Sequence, residues 1–325
     1  MQDGQYILFG TRNHAAVCSS ANYGKSWNLN VSENFPLPER ASGMFTVGIS
    51  SSGQHQTVVA TNFQFSVWFL VSDDAGSTWN ATYHQDGPTA PSCHTVVLSD
   101  SGQYQAIACQ NALFLSSNWG TNWTSAALPY THFVDGGLAM SSDGQYLSLG
   151  AGTMNSSAVL VSLDRGLTWI AGLSFDDPTV TIAGVAMSSN GLFHIAAIVP
   201  GTDVYSGGLF SSLDYGKSWH NISKFISAQN FTWTGIAMCA TGQYVTVVGE
   251  LGSPFLVSHD YGHSWDLVMP AGVSAVNAHA VSVSQSGQYQ AAGLDGVGLV
   301  ISQDFGQTWN AAVTSLGQIV SISMT

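Results

Sequence analysis

Short apolar runs of four to six residues recur along the whole chain, and each is broken by glycine, serine, asparagine or aspartate. The runs HTVVLS (94–99), YQAIAC (104–109) and LFLSS (113–117) are examples. Runs of this length bounded by turn residues are typical of β-strands, and no helical period of apolar positions accompanies them. The pattern therefore predicts an all-β protein built from short strands.

Two motifs repeat in phase along the chain, seven times each. The first, seen as SSLDYGKSW at 211–219, ends in a tryptophan, and these tryptophans lie 44 to 52 residues apart: Trp27, Trp79, Trp123, Trp169, Trp219, Trp265 and Trp309. The second, seen as SDSGQYQ at 99–105, has one glycine per copy: Gly4, Gly53, Gly102, Gly144, Gly191, Gly242 and Gly287. One period holds about four strands and cannot bury its own faces, so it must stack on its neighbours. The sequence therefore predicts a seven-bladed β-propeller of four-stranded antiparallel blades.

The two ends of the chain complement each other. Residues 319–325, IVSISMT, match the strand that elsewhere precedes the glycine turn, whereas the first unit begins directly at the turn DGQY, residues 3–6. We therefore expect the C-terminal strand to become the innermost strand of the first blade and to close the ring, which removes two exposed sheet edges. On this interpretation residues 1–325 form a single propeller domain.

The tryptophan motif, SxDxGx[ST]W, resembles the Asp-box, or BNR repeat, of sialidases, sortilins and several polysaccharide hydrolases. Five copies keep the aspartate and two replace it with asparagine: Asp74, Asp164, Asp214, Asp260, Asp304, Asn22 and Asn118. A short carboxylate or amide accepts hydrogen bonds from N–H groups in a tight turn, so we expect these residues to act in the scaffold rather than in metal binding or acid catalysis. The resemblance implies that the boxes lie between the third and fourth strands, on the face away from the ligand site.

Sialidase activity itself is not expected. That chemistry needs a cluster of arginines that binds the substrate carboxylate, and this chain has only Arg12, Arg40 and Arg165. Arg165 lies inside a box, and therefore on the wrong face.

Composition excludes further classes of partner. Only 8% of the residues are charged, and the formal net charge is −13, so the surface repels nucleic acid and anionic membranes. No apolar run approaches 18 residues, and the N-terminus lacks the features of a signal peptide. Asn-x-Ser/Thr acceptor patterns nevertheless favour a secreted glycoprotein, and they occur at Asn30, Asn80, Asn122, Asn155, Asn221 and Asn230.

The four cysteines leave two alternatives open. Cys93 and Cys109 lie on adjacent strands of one hairpin and could form a disulfide, whereas Cys18 and Cys239 belong to separate blades. Four buried thiols are the simpler alternative. No CxxC or HExxH spacing occurs, so we expect neither a metal site nor a cofactor.

The candidate site lies where the innermost strands begin, on the face opposite the boxes. If the protein is an enzyme, the acid and base candidates are Asp135, His132, His94 and Glu250. The candidates for ligand binding are Trp233, Asn277, His279 and Cys93, with Asp295 in a neighbouring loop. Trp233 is one of three tryptophans outside the boxes, and we expect it to stack on a sugar ring. The plainer interpretation is that each of these residues is a rim side chain that faces solvent.

A second surface has a repeated aromatic position. The residue after the box aspartate or asparagine is aromatic in five copies: Tyr23, Trp119, Tyr215, Tyr261 and Phe305. A ring of exposed aromatics could bind glycans or proteins. We favour the alternative, in which each ring covers a neighbouring turn.

Three functional classes stay open, with a lectin-like carbohydrate-binding propeller first. The second is an enzyme, either a glycoside hydrolase, a lyase or a small-molecule enzyme, and the third is a structural module that self-associates. Two titratable groups within about 10 Å of each other in one pocket would favour the enzyme. An aromatic-floored pocket without such a pair would favour the lectin.

Overall fold

The computed structural model describes residues 3–12, 16–29, 31–37, 43–61, 66–87, 90–129, 137–152, 155–201, 208–223, 232–250, 252–273, 277–314 and 317–325. These residues form seven antiparallel sheets arranged as the blades of a β-propeller. Both the fold class and the number of blades predicted from the repeats are confirmed.

Blades two to seven run outward from a central channel through strands that follow one another in the chain, whereas blade one begins with the C-terminal strand. The innermost strands of blades one to seven are β27 (Ile319–Met324), β3 (Met44–Ile49), β7 (Cys93–Leu98), β11 (Leu138–Met140), β15 (Thr181–Met187), β19 (Thr232–Met238) and β23 (Ala278–Val283). The second strands are β1 (Ile7–Thr11), β4 (Gln56–Thr61), β8 (Gln105–Cys109), β12 (Leu147–Gly152), β16 (His194–Val199), β20 (Val245–Glu250) and β24 (Gln290–Leu294). The third strands are β2 (Val17–Ser20), β5 (Ser66–Ser72), β9 (Ala112–Ser116), β13 (Ser157–Ser162), β17 (Gly208–Ser212), β21 (Phe255–Ser258) and β25 (Gly298–Ser302). The fourth strands, from blade two onward, are β6 (Asn80–Asp86), β10 (Thr124–Ala126), β14 (Ile170–Phe175), β18 (His220–Asn221), β22 (Asp266–Val268) and β26 (Asn310–Val313).

The C-terminal strand closes the ring as predicted. β27 pairs antiparallel with β1, with Ile7 opposite Met324 and Gly10 opposite Ser321. In the same blade the fourth strand is reduced to an isolated bridge between Ser19 and Asn28, and a 3-10 turn follows at Val31–Asn34.

Burial falls from the centre of each blade to its rim. Every residue of β8 and β12 is buried, whereas β10 and β22 are mostly exposed. Because the sheets pack face to face, the core consists of layers between neighbouring blades. Phe69 of blade two and Phe114 of blade three share one such layer.

The boxes form tight turns between third and fourth strands, as shown by blade five. Asp214 accepts hydrogen bonds on Oδ1 from the Ser218 N–H at 2.8 Å and from the Ser212 hydroxyl at 2.8 Å, and on Oδ2 from the Ser218 hydroxyl at 2.6 Å. The Trp219 indole N–H donates to the Gly216 carbonyl. Hydrogen bonds from the Ser218 hydroxyl and N–H are the main reason why the pKa of Asp214 falls to about 2.

The residue after the box aspartate or asparagine has a left-handed backbone in all seven blades, with φ between 57° and 64°. In every blade except blade two, where the residue is Ala75, its side chain contacts the ring that lies two positions after the turn glycine of the preceding blade. The Tyr215 ring lies 4.8 Å from the Tyr146 ring, and the Arg165 guanidinium lies 4.7 Å from the Tyr104 ring centre. These contacts agree with the covering role expected for the aromatic position, although Trp119 and Tyr261 each keep 45% of their surface exposed.

A second contact between neighbouring blades explains why the turn motif contains glycine. Gly144 has φ +71°, and a Cβ atom there would lie 2.5 Å from Cβ of Tyr104. An aromatic side chain from one blade therefore occupies the space beside the turn glycine of the next.

We expect Asp214→Ala to lower the free energy of unfolding by about 1 kcal/mol, because turn N–H groups lose their acceptor as they do when a helix cap is removed. Asp214→Asn is the matched control, since Asn22 and Asn118 make the equivalent bonds to the N–H groups of Ser26 and Asn122. Urea unfolding of the two variants tests this. Equal losses in both variants would contradict the acceptor role.

None of the described residues belongs to a helix long and apolar enough to cross a membrane. Four of the predicted glycosylation acceptors, Asn80, Asn122, Asn155 and Asn221, are exposed. Asn30 and Asn230 lie outside the described residues. Secretion stays a prediction.

Candidate functional site

A central channel of about 650 Å³ passes between the innermost strands of the seven blades. Each of these strands is the end strand of its sheet, so it turns N–H and C=O groups toward the channel. Some of these groups are already bonded within the protein, since Ser321 and Ser323 of blade one accept hydrogen bonds from the N–H groups of Val47 and Ile49. The lumen is therefore lined by backbone donors and acceptors as well as by apolar side chains.

β-bulges direct two histidines into the mouth of this channel. The register of β7 shifts between Cys93 and Thr95, and the register of β23 shifts between Ala278 and Ala280. His94 and His279 are the extra residues at these shifts, and both line the channel. A bulge changes the direction of a side chain without ending the strand, which is why bulges are common near binding sites.

His279 is the centre of a polar cluster at the mouth. Its Nδ1 lies 3.2 Å from Oε1 of Glu250 at the end of β20, and its Nε2 lies 2.8 Å from Oδ2 of Asp295. The Asp295 N–H donates to the Asn277 carbonyl at 2.9 Å, which fixes that loop to the start of β23. The imidazole side chain is 20% exposed, and the two carboxylates are 37% and 38% exposed.

Gln318 also belongs to this cluster and was missed by the sequence analysis. Its side-chain amide lies 2.7 Å from Nε2 of His279. Gln318 directly precedes the innermost strand of blade one, just as Asn277 precedes that of blade seven. A search for polar residues directly before each innermost strand, extended to the C-terminal strand, would have identified Gln318.

The structure brings together only some of the predicted site residues. Glu250, Asn277 and His279 meet at one side of the mouth, and His94 lines the channel from blade three. Asp135 and His132 lie outside the described residues. Their proposed acid and base roles stay predictions.

Trp233 and Cys93 are buried in the walls. Trp233 lies in the core layer with Phe193 and Leu209 and has 6% of its surface exposed, so a ligand in the channel would meet little of its indole. Cys93 is 1% exposed and forms a disulfide with Cys109, which resolves the alternatives left by the sequence. The remaining cysteines, Cys18 and Cys239, are free and buried, and burial raises the pKa of the Cys18 thiol to about 12.

A ring of backbone hydrogen bonds surrounds the opposite end of the channel, where the glycine turns begin. Five such bonds are described, and in each the backbone N–H of one blade donates to a backbone carbonyl of the next blade. They join Ser51, Asp100, Ser142, Ser189, Ala240 and Gln285. The side chains of Asp100 and Gln285 meet at 3.3 Å, between Oδ1 and Nε2, although they belong to blades three and seven. Burial raises the pKa of the Asp100 carboxyl, and the Gln285 amide partly offsets this.

No protein-family model matches the chain, and no curated protein matches it. Solved structures share its fold. The GH74 xyloglucanase from Xanthomonas campestris is 13% identical, with a TM-score of 0.71 over 97% of this chain and 53% of that one. The GH74 enzyme from Niastella koreensis is 14% identical, with a TM-score of 0.70 over 97% of this chain and 55% of that one. YCF48 from Cyanidioschyzon merolae is 13% identical, with a TM-score of 0.60 over 93% and 96%.

The chain spans about half the length of the two GH74 enzymes. At such identities the likeness establishes the propeller fold and does not assign a family.

Proposed function

We propose that the protein binds carbohydrate at the channel mouth, where blades six, seven and one meet. The observation that carries this proposal is the cluster of Glu250, His279, Asp295 and Gln318 at the entrance of a cavity of about 650 Å³. Ligand pockets generally have volumes of about 300–1,000 Å³ and a few convergent polar groups, and this cavity has both features.

The chemistry of the mouth suits a polyhydroxylated ligand. Each carboxylate has two oxygens and about four acceptor positions, and only one oxygen of each faces the imidazole. Hydroxyl groups of a sugar could donate to the second oxygens while the lumen offers backbone donors and acceptors. Trp233 is 6% exposed, so its indole packs in the channel wall and offers no open face on which a sugar ring could stack.

Glycoside hydrolysis is the second candidate because a pair of titratable groups is present. His279 spans Glu250 and Asp295, so the carboxylate oxygens that face it lie no more than about 8 Å apart; this upper limit falls inside the range of about 6.5–9.5 Å found for the carboxyl groups of inverting glycosidases. In those enzymes the space between the carboxylates holds the sugar and a water molecule. Here the imidazole fills that space, which favours binding over hydrolysis.

Among the similar solved structures, one is named for its action on a carbohydrate and another for its bound peptide. Two of them are GH74 enzymes, one named as a xyloglucanase, and a further one is YCF48 bound to the D1 peptide. A peptide ligand is therefore the outcome to consider if no glycan binds.

We expect Glu250→Gln and Asp295→Asn each to weaken glycan binding by about tenfold or more, because a hydrogen bond to a charged acceptor contributes about 1.5–3 kcal/mol. A glycan array that includes β-glucan and xyloglucan oligosaccharides identifies the ligand, and titration calorimetry gives the dissociation constants. Asp266→Asn is the matched control, since Asp266 lies on the exposed fourth strand of blade six.

Two results would change the proposal. Unaltered affinity in both mouth variants would place the site elsewhere. Release of new reducing ends from a bound glycan, lost in Glu250→Gln or Asp295→Asn, would instead support the hydrolase.

A further inference from the structure

The channel is deep and narrow below the polar mouth. Gln285 at the far end lies six positions after His279 at the mouth, which corresponds to a depth of at most about 20 Å along an extended strand. A volume of about 650 Å³ over that depth leaves space for one extended chain.

The far end of the channel is obstructed. The five backbone hydrogen bonds draw six blades together there, and the Asp100 and Gln285 side chains, which both line the cavity, meet at 3.3 Å. Blades three and seven are not neighbours, so this bond crosses the lumen. We call this pair the crossbar.

A cluster of three ionisable side chains lies at the other end. Glu250, His279 and Asp295 surround the entrance from blades six and seven. The middle of the channel is lined by strand backbone and by small side chains such as Val281, Ser282 and Ser321. A polymer that entered at the mouth would be recognised there and could not pass the crossbar.

We propose that the channel receives the end of a glycan chain rather than an internal segment, with the crossbar of Asp100 and Gln285 as the floor against which that end stops. This inference rests on the proposed function and specifies which part of the glycan binds. An internal segment of a long chain would have to leave through the far end, which the crossbar blocks.

The test uses a hexasaccharide in four forms: uncapped, capped with a bulky fluorophore at the reducing end, capped at the non-reducing end, and capped at both ends. Cellohexaose is the first probe, replaced by the hexasaccharide of whichever class binds most tightly on the array. We expect at least one singly capped form to bind within about threefold of the uncapped sugar. The doubly capped form should bind at least thirtyfold more weakly.

The possible results separate the two proposals. Equal binding of singly and doubly capped forms would overturn end-on entry and leave carbohydrate binding intact. Absence of binding for every glycan would overturn the proposed function and this inference with it.

Variants of the crossbar give an independent readout. In the unaltered protein, the affinity for oligosaccharides should stop rising with their length once the sugar chain fills the channel depth of about 20 Å. Asp100→Ala with Gln285→Ala should remove this limit, so that octasaccharides bind more tightly than hexasaccharides. Gln288→Ala is the control, because Gln288 is exposed outside the channel. A length limit that persists in the double variant, with the protein still folded, would show that the crossbar is not the floor.

Discussion

Deletion of residues 319–325 is expected to abolish the cooperative unfolding transition. The deletion removes β27, which pairs with β1 from Ile7 to Thr11 and whose serine hydroxyls contact blade two. It also removes Ile319 and Met324 from the core between blades one and seven. Two large apolar side chains account for about 3–6 kcal/mol, and the lost backbone pairing adds to this. Natural proteins have only about 5–15 kcal/mol of stability in total.

Circular dichroism during heating and size-exclusion chromatography measure this effect. The control is a circular permutant that keeps every strand, with Thr325 joined to the N-terminus and new ends between Ala271 and Gly272. The Gly4 N–H donates to the Thr325 carbonyl at 2.7 Å, and nothing lies within 4 Å of a Cβ placed on Gly272. The permutant should melt cooperatively. A truncated protein with an unchanged melting temperature would contradict closure by β27.

His194 is expected to make the stability of the protein depend on pH between about 6.5 and 4. Its side chain is fully buried, where Nε2–H donates to the Gly191 carbonyl at 2.7 Å and Nδ1 accepts from the Ser148 hydroxyl at 2.8 Å. Burial lowers the pKa of His194 to about 4 from the ordinary value of 6.5. The unfolded chain therefore binds a proton before the folded protein does. The stabilisation is complete above pH 6.5 and decreases by about 3 kcal/mol as the pH falls to 4.

The equivalent positions in other blades suggest a control variant for this pH dependence. Gln105 and Gln290 occupy the equivalent position in blades three and seven, and each donates to its turn glycine and accepts from a threonine of the preceding blade. His194→Gln should therefore keep both hydrogen bonds, with a free energy of unfolding at pH 7 within about 1 kcal/mol of the original. Urea unfolding between pH 7 and 4.5 should show a much smaller loss in the variant. Parallel losses in the two proteins would show that other groups cause the dependence.

The repeats predicted the architecture because both motifs encode local turns whose spacing sets the blade. The same reasoning located the closing strand, since IVSISMT has the pattern of an innermost strand without a turn after it. The position of His94 and His279 depends instead on a one-residue bulge, which the apolar pattern does not reveal.

Contacts between distant parts of the chain were the least predictable. Gln318 reaches His279 from 39 residues away, and Asp100 reaches Gln285 from 185 residues away. Trp233 was expected to be an exposed plate because it lies outside the boxes. Its position in the second residue of β19 instead directs it into the layer between blades.

The ring of backbone bonds at the far end also determines the electric field inside the channel. All five bonds run in the same sense, from the N–H of one blade to the carbonyl of the next. A peptide dipole of about 3.5 D therefore points along the circumference at each of these five steps rather than along the channel axis. These dipoles therefore do not direct a partial charge toward a molecule in the channel, whereas the peptide groups at the end of a helix do. Among the six described residues of the ring, the Asp100 carboxyl, whose pKa burial raises, is then the only group that can bear a formal charge.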